Sequence, residues 1–442
     1  MSSLLEQIFA AGIVGAGGAG FPTHKKLASH ADTLIINAAE CEPLLASDRY
    51  VMREFANEIT EALLALREEF GFKRIVVGTK HHYTREITAL KNAFSSKNTD
   101  FEIFEMDSFY PAGDEQVMIY EITGKTVPPG GLPLSVGIVV QNITTILHIY
   151  DAMQGKPVTE KFVTVTGAVA CPSIVRVPVG ACVSDCIAAA GGVTGRAGFI
   201  IKGGPMMGRQ YPYSEGYKLV IGKADSGIIV LPENHPLGVF GLKPVKRILN
   251  EAKSVCMQCS FCTEMCPRYL IGHKLRPNMV MRAMATGANV ETLSEALLCS
   301  ECGICELFAC PMQLSPRRVN IHVKQLLREK GISITDKQIY PRQSVSREYR
   351  KISQSRLAGR LLPEGYPSEI YKTVTSGADS VHIPLKHGVG RPSTPIVAIG
   401  DRVEAGDVIA EVSFNDIGCL IHASINGLVT RLDDCITIVR EV

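Results

Sequence analysis

Two cysteine runs constrain this chain more than any other feature. The first reads Cys256-x2-Cys259-x2-Cys262-x3-Cys266-Pro267, the second Cys299-x2-Cys302-x2-Cys305-x4-Cys310-Pro311. Together they hold eight of the fourteen cysteines. Three thiolates spaced two residues apart can wrap one corner of an iron–sulfur cube, and a fourth, followed by proline, closes a cube from further along the chain. In paired runs of this kind the fourth cysteine usually serves the other cluster. The spacing therefore predicts one [4Fe–4S] cluster on Cys256, Cys259, Cys262 and Cys310, and another on Cys299, Cys302, Cys305 and Cys266. The alternatives are structural zinc, commonly held by two separated ligand pairs, and disulfides, which need an oxidising compartment. Two matched triplets with Cys-Pro ends suit neither well. Cubane clusters move single electrons, so the runs predict an electron-transfer protein.

The remaining totals narrow its setting. A chain of 442 residues predicts about three or four domains. Lys and Arg number 46 against 44 Asp and Glu, a balance that gives no nucleic-acid-binding field. The first twenty residues lack a basic region and carry Glu6, unlike a signal peptide. The most apolar stretch, 132–150, is broken by Gln141 and Asn142, so no membrane span is expected. The chain reads as a soluble cytoplasmic protein.

Residues 4–11 read as a short helix. Gly15-Ala-Gly17-Gly18-Ala-Gly20-Phe-Pro-Thr-His-Lys25-Lys26 follows. Glycines let a backbone approach a ligand closely, and consecutive amides cradle phosphate oxygens. Gly15, Gly17 and Gly20 satisfy G-x-G-x-x-G, but the dinucleotide version needs a preceding strand. A glycine-rich turn without a ligand therefore stays open. Residues 33–38 read as a buried strand ending in Glu40-Cys41-Glu42-Pro43. Acidic groups at such a strand end commonly meet ribose hydroxyls, or else form a solvated turn. A helix over 50–70, a strand over 74–78, a helix over 84–94 and a strand over 101–106 predict an α/β layer with parallel strands. Tyr110-Pro-Ala-Gly113-Asp114-Glu115-Gln116 opens a helix to Thr123. A strand over 136–140 ends in Gln141-Asn142-Ile-Thr-Thr145, which starts another. Asn and Thr there suit either a helix cap or a phosphate.

In these segments, Gly15 to Thr23, Asn37 to Pro43, Tyr110 to Gln116 and Gln141 to Thr145, the chain resembles the flavin- and NADH-binding subunit of respiratory complex I and, more closely, its relative in Rnf complexes. The resemblance covers most of residues 10–150. It implies bound FMN, with NADH stacking on it as electron donor. Gly15, Gly17, Gly18, Gly20 and Lys26 would serve the nucleotide phosphates. Asn37, Gly113, Gln141, Asn142 and Thr145 would hold the flavin. Glu40, Glu42, Asp114 and Glu115 would face the flavin and the nicotinamide ribose, with Glu40, Glu42 and Glu115 in the catalytic role. Ala16, Ala39 and Gln141 depart from the complex I pattern, which has arginine, aspartate and asparagine there.

Residues 161–210 resemble the β-grasp domain of the same family. Cys182 and Cys186 on its helix, like Cys41, Cys171, Cys419 and Cys435, read as packing residues. A helix over 244–255 leads into the first cysteine run, whose spacing matches bacterial ferredoxins. The insert 267–298 reads as helical, and Ser315-Pro316 starts a helix to Lys330 with serine as cap. Residues 337–360 carry Lys337, Arg342, Arg347, Arg350, Lys351, Arg356 and Arg360 against Glu348, a solvated face or a docking site for an anionic partner. Residues 400–412 and 421–429 resemble two halves of a lipoyl-like barrel-sandwich domain. Ser413 to Leu420 between them contains no lysine for a swinging arm.

The expected fold is thus multidomain α/β: a complex I flavin-subunit-like domain over 1–155, a β-grasp domain over 156–240, an α-rich two-cluster ferredoxin-like domain over 241–332, a basic linker over 333–380 and a barrel-sandwich domain over 381–442. A barrel-sandwich segment at the C-terminus resembles the cobalamin reductases of propanediol-utilisation microcompartments. That resemblance implies an NADH-dependent oxidoreductase reducing cobalamin for adenosylcobalamin recycling. An adenosyltransferase would be its partner, a shell protein a further one, and the microcompartment its location. None of the eleven histidines lies in Asp-x-His-x-x-Gly, so corrinoid binding is expected to be transient. Two other readings remain: a subunit feeding a membrane-bound Rnf-type complex, and a non-catalytic iron–sulfur adaptor with an empty glycine loop.

Overall fold

The computed structural model describes residues 3–287, 290–334, 336–340, 345–361, 366 and 369–441. Arg342 lies outside them. Four parallel strands form the first sheet, in the order Glu102–Met106, Arg74–Lys80, Thr33–Asn37, Ile138–Asn142. Successive side chains alternate between two covered faces. Leu34 and Ile36 pack with Ile59, Leu63 and Leu66 of the helix Ala56–Phe70 and with Leu90 of Thr84–Ser96. Ile35 and Val76 pack with Val117, Met118 and Ile122 of the helix Glu115–Thr123. The chain leaves Thr33–Asn37 towards one neighbour and returns on its other side as Ile138–Asn142, so the order switches between these two strands. Crevices at such switch points, outside the carboxyl ends of the strands, are where α/β sheets bind ligands.

The single helix expected over 50–70 is two, Ser47–Glu54 and Ala56–Phe70, with Phe55 leaving helical geometry between them. The break lets the Phe55 ring meet Tyr50 and Phe162 of the next domain. Periodicity alone does not reveal it, because both pieces keep their apolar faces inward.

A six-stranded sheet follows, in the order Thr373–Thr375, Ser173–Pro178, Glu160–Gly167, Gly227–Pro232, Ala197–Lys202, Arg209–Pro212. Cys182 stands just before the helix Val183–Ala189 rather than on it. The helices Val245–Val255, Pro277–Thr286 and Pro316–Glu329 share a core around Ile248, Val280, Val319 and Val323. Ser315 precedes the last of these but does not cap it; its hydroxyl is buried without a hydrogen bond.

The basic run is solvated only in part: Lys337, Arg356 and Arg360 are exposed, whereas Arg347 and Lys351 are largely covered. Arg347 pairs with Glu121 and Glu348, Lys351 with the same two acids, and Arg350 with Glu264. The guanidiniums of Arg356 and Arg360 lie 5.4 and 5.2 Å from the Phe308 ring centroid. Ile352 adds a short antiparallel pairing to Tyr110. The charges thus strap the flavin-like domain to the cysteine-rich one. Their acidic partners lie far off in sequence, which is why the run by itself looked free.

The tail folds as two small sheets: Ser380–Pro384, Cys435–Val439, Gly427–Leu432 and Arg402–Val403, and Thr394–Pro395, Val408–Glu411 and Ile421–His422. Its core is continuous with that of the six-stranded sheet. Among the described residues no helix is long and apolar enough to cross a membrane.

Candidate functional site

The cysteine runs wind alike. In the first, Gln258 and Ser260 flank Cys259 with φ of 57° and 63°; in the second, Glu301 and Gly303 flank Cys302 with φ of 63° and 84°. Left-handed residues on both sides of the middle cysteine curl the backbone around a concavity and turn amides inward. Two cavities result. One is lined by Cys266, Cys299, Cys302 and Cys305 together with Arg317. The other is lined by Cys256, Cys259, Cys262 and Cys310. No three His, Cys, Asp or Glu among the described residues are gathered closely enough to hold a single ion; the thiols stand around volumes instead.

The surroundings suit cluster sulfur. The amide of Glu301 donates to Cys299 Sγ and that of Leu314 to Cys310 Sγ, each at 3.3 Å. Asn320, fully buried, approaches the Cys299 sulfur and has no other hydrogen-bond partner. Burial pushes the Cys262 and Cys266 thiols up to about 12. Ligand thiols must lose their protons, so cations must supply the charge that makes their burial tolerable. The cavities differ in exposure. Cys302 and Cys305 are buried, whereas Cys259 is exposed beside exposed Met257, Phe261 and Met312.

The motifs of the first domain converge at the strand ends. The Gly15 amide closes its loop on the Phe21 carbonyl at 2.9 Å. The Ala16 amide donates to Thr145 Oγ1 at 3.0 Å, and a side chain at Gly17 would press on Asn142. Gly18 has φ of +121° with open space where a Cβ would stand, so it can be replaced only with strain. Asn37 Nδ2 donates to the Gly113 carbonyl at 2.8 Å. Lys26 pairs with Glu115 at 2.7 Å, both side chains partly exposed. In these motifs Gln141 Nε2, Gln116 Oε1 and Thr23 Oγ1 are buried with no protein partner. Buried polar atoms without partners are rare, and a polar ligand would satisfy them.

All four acidic groups expected at the flavin have protein partners, and three of them are held in largely covered positions. The Glu40 carboxylate accepts from the Asp48 amide at 3.0 Å, and burial followed by the nearby Asp48 charge pushes it up to about 8. Glu42 accepts from the amides of Met206 and Met207 at 2.9 and 2.8 Å; burial raises it to about 7. Asp114 caps the helix Glu115–Thr123 through the amides of Gln116 and Val117 and pairs with Arg268 at 3.0 Å. Asn142 caps its helix through the Thr144 amide. Glu115 is the acid left at a partly open position.

Several residues absent from the sequence expectation matter here. Asp48 receives Asn142 Nδ2 and Thr144 Oγ1, each at 2.8 Å, and burial raises its pKa. It stands two residues before the helix expected over 50–70, and the structure places it in the first turn of Ser47–Glu54. Buried Lys80 donates to the Glu40 carbonyl and to Gln354. The fully buried Tyr110 donates its hydroxyl to the Cys302 carbonyl at 2.7 Å. Arg317 donates to the carbonyls of Glu301 and Met207 and pairs with Glu306. The Tyr110 and Asp114 contacts tie a flavin motif directly to the Cys266–Cys305 cavity.

Comparison with known proteins agrees with this division of labour. Residues 8–151 match the Nuo51 FMN-binding domain, 162–210 the SLBB domain, 255–315 a 4Fe-4S dicluster domain and 370–441 the RnfC barrel sandwich hybrid domain. The chain is therefore a flavin and iron–sulfur oxidoreductase with FMN and two [4Fe–4S] clusters as cofactors. An NAD+-reducing [NiFe]-hydrogenase structure shares the fold, with a TM-score of 0.50 and 21% identity over 82% of this chain and 67% of that one. The cobalamin reductase PduS of Citrobacter freundii is 36% identical over 99% of this chain and 96% of its own. That of Salmonella typhimurium is 37% identical over 98% and 96%. Identity at that level along the full length of both relatives means that the chain belongs to the family of cobalamin reductase PduS.

Proposed function

We propose that the protein takes electrons from NADH and delivers them singly to the cobalt of cobalamin, for regeneration of adenosylcobalamin. Bound FMN converts a hydride donor into a source of single electrons, and the clusters carry them onward. The observation that carries this reading is the direct link between flavin motif and cysteine cavity, Tyr110 to Cys302 and Asp114 to Arg268. Cys266, Cys299, Cys302 and Cys305 would hold the cluster nearer the flavin. Cys256, Cys259, Cys262 and Cys310 would hold the outer one, whose exposed Cys259 suits delivery to an external acceptor. Gly17, Gly18 and the unpartnered Gln141 amide would receive FMN. Glu115 and Lys26, at the partly open position, would meet the nicotinamide nucleotide. The name of the two relatives supports cobalamin as acceptor; an adenosyltransferase and a shell protein as partners, and a microcompartment as location, rest on the sequence resemblance alone.

The test is anaerobic purification, visible spectra before and after NADH, and then NADH-driven reduction of cobalamin. Bleaching of both flavin and cluster bands followed by corrinoid reduction is expected. No corrinoid reduction with intact NADH-to-dye activity would favour an Rnf-type subunit, the reading that the barrel-sandwich match at 370–441 also allows.

A further inference from the structure

The C-terminal domain touches the glycine-rich loop at three points. At the tip, Gly20 and Gly388 meet backbone to backbone, with φ of +62° and +76°. A Cβ on Gly20 would stand 2.7 Å from Gly388 Cα, and one on Gly388 2.5 Å from Gly20 Cα. Against the helices on either side of the loop, the Phe414 ring lies 5.0 Å from that of Phe9 on Leu4–Ala10 and 5.3 Å from that of buried His24 on Thr23–Leu27, with Lys25 Nζ 5.4 Å over its face. At the entry, fully buried Lys223 donates to the carbonyls of Gly12 and Leu420 at 2.8 and 2.9 Å, and its amide donates to His387 Nδ1. Phe414 belongs to the lysine-free turn that would carry the swinging arm in a lipoyl domain.

We propose that the barrel-sandwich domain is the retaining element of the flavin site, with Gly388 and Phe414 as positioning residues that hold residues 12–27 in the conformation that receives FMN. A short glycine-rich loop samples many backbone states when unrestrained. Ligand affinity falls in proportion to the fraction of time spent in the competent one. Contacts at entry, tip and exit remove that freedom without touching the ligand. Gly20 thus acts through the tail rather than by offering room to a phosphate. The inference rests on the glycine loop being the FMN site.

The experiment uses the full-length, anaerobically purified protein and its Gly388→Ala and Phe414→Ala variants. FMN per chain is measured after gel filtration, FMN affinity by flavin fluorescence, and the clusters by EPR after dithionite. Phe414 lies on a half-exposed turn, so its truncation spares the core. The expected result is FMN binding weakened by about tenfold or more in both variants, the effect of a loop competent one-tenth of the time. Cluster signals should be unchanged, and added FMN should restore NADH oxidation. FMN affinity within about twofold of the parent in both variants would overturn the proposal. So would loss of the clusters along with FMN, which would mean that the contacts hold the whole fold. Absence of FMN from the parent protein would instead refute the FMN site itself.

Discussion

Asp114 allows a quantitative test, because its two carboxylate oxygens do separate jobs. Oδ1 caps the helix Glu115–Thr123, and Oδ2 pairs with Arg268, one residue beyond Cys266-Pro267. The pair is 3.0 Å long, with side chains only 13% and 7% exposed. Asn caps about as well as Asp, so Asp114→Asn removes the ion pair and leaves the cap. Breaking a buried pair by deleting one partner costs about 3–5 kcal/mol. Asp114→Ala also removes the cap, adding about 1 kcal/mol. A multidomain chain need not unfold in one step, so the readout is local: hydrogen exchange of peptides spanning 110–123 and 266–275. A double-mutant cycle with Arg268→Gln isolates the pair, with an expected coupling of about 2 kcal/mol. Coupling within about 0.5 kcal/mol of zero, the limit expected for independent sites, would refute this reading. Unchanged exchange with lost NADH oxidation would return Asp114 to the nicotinamide.

Cys302→Ala should lower iron from about eight to about four per chain and leave one cluster visible by EPR, because each cavity has its own four thiols; unchanged iron would sink the ligand assignment. Gly18→Asp places a charged, strained residue at φ of +121° and should abolish FMN binding while dithionite still reduces the clusters; fluorescence-detected FMN titration decides it. His24 is held down to about 4, first by burial and then by Lys25. Its folded pKa lies below the unfolded 6.5, so its contribution is complete above pH 6.5 and is lost as pH falls towards 4. FMN release should therefore rise between pH 6.5 and 5 in the parent and less steeply in His24→Leu; parallel curves would exclude His24.

Spacing limits which thiols reach one concavity, and Cys310 and Cys266 each line the cavity of the other triplet. The parallel sheet was legible because Leu34, Ile35 and Ile36 are apolar on both faces. What sequence hides is commitment at a distance. Glu42 looks available in its own strand end, yet its partners are amides some 164 positions away. Arg347 looks solvated in its own segment, yet its partner Glu121 is 226 positions back. The glycines of the loop also look alike, while Gly18 faces open space and Gly20 faces another backbone. Local pattern reports which residues can approach a ligand, and only tertiary packing decides which are left to do so.

The meeting of Gly20 with Gly388 sets an order of events during synthesis. About 370 residues separate them, and at roughly 5–20 residues per second a ribosome needs some 20–70 s to make that stretch. Throughout this interval the glycine loop of the nascent chain lacks its contact with the tail. The four strands that bracket the loop are complete by Asn142, and every cluster cysteine by Cys310. The strands of the first sheet and all eight cluster cysteines are thus made before residue 388, and the contact between Gly20 and Gly388 can form only afterwards.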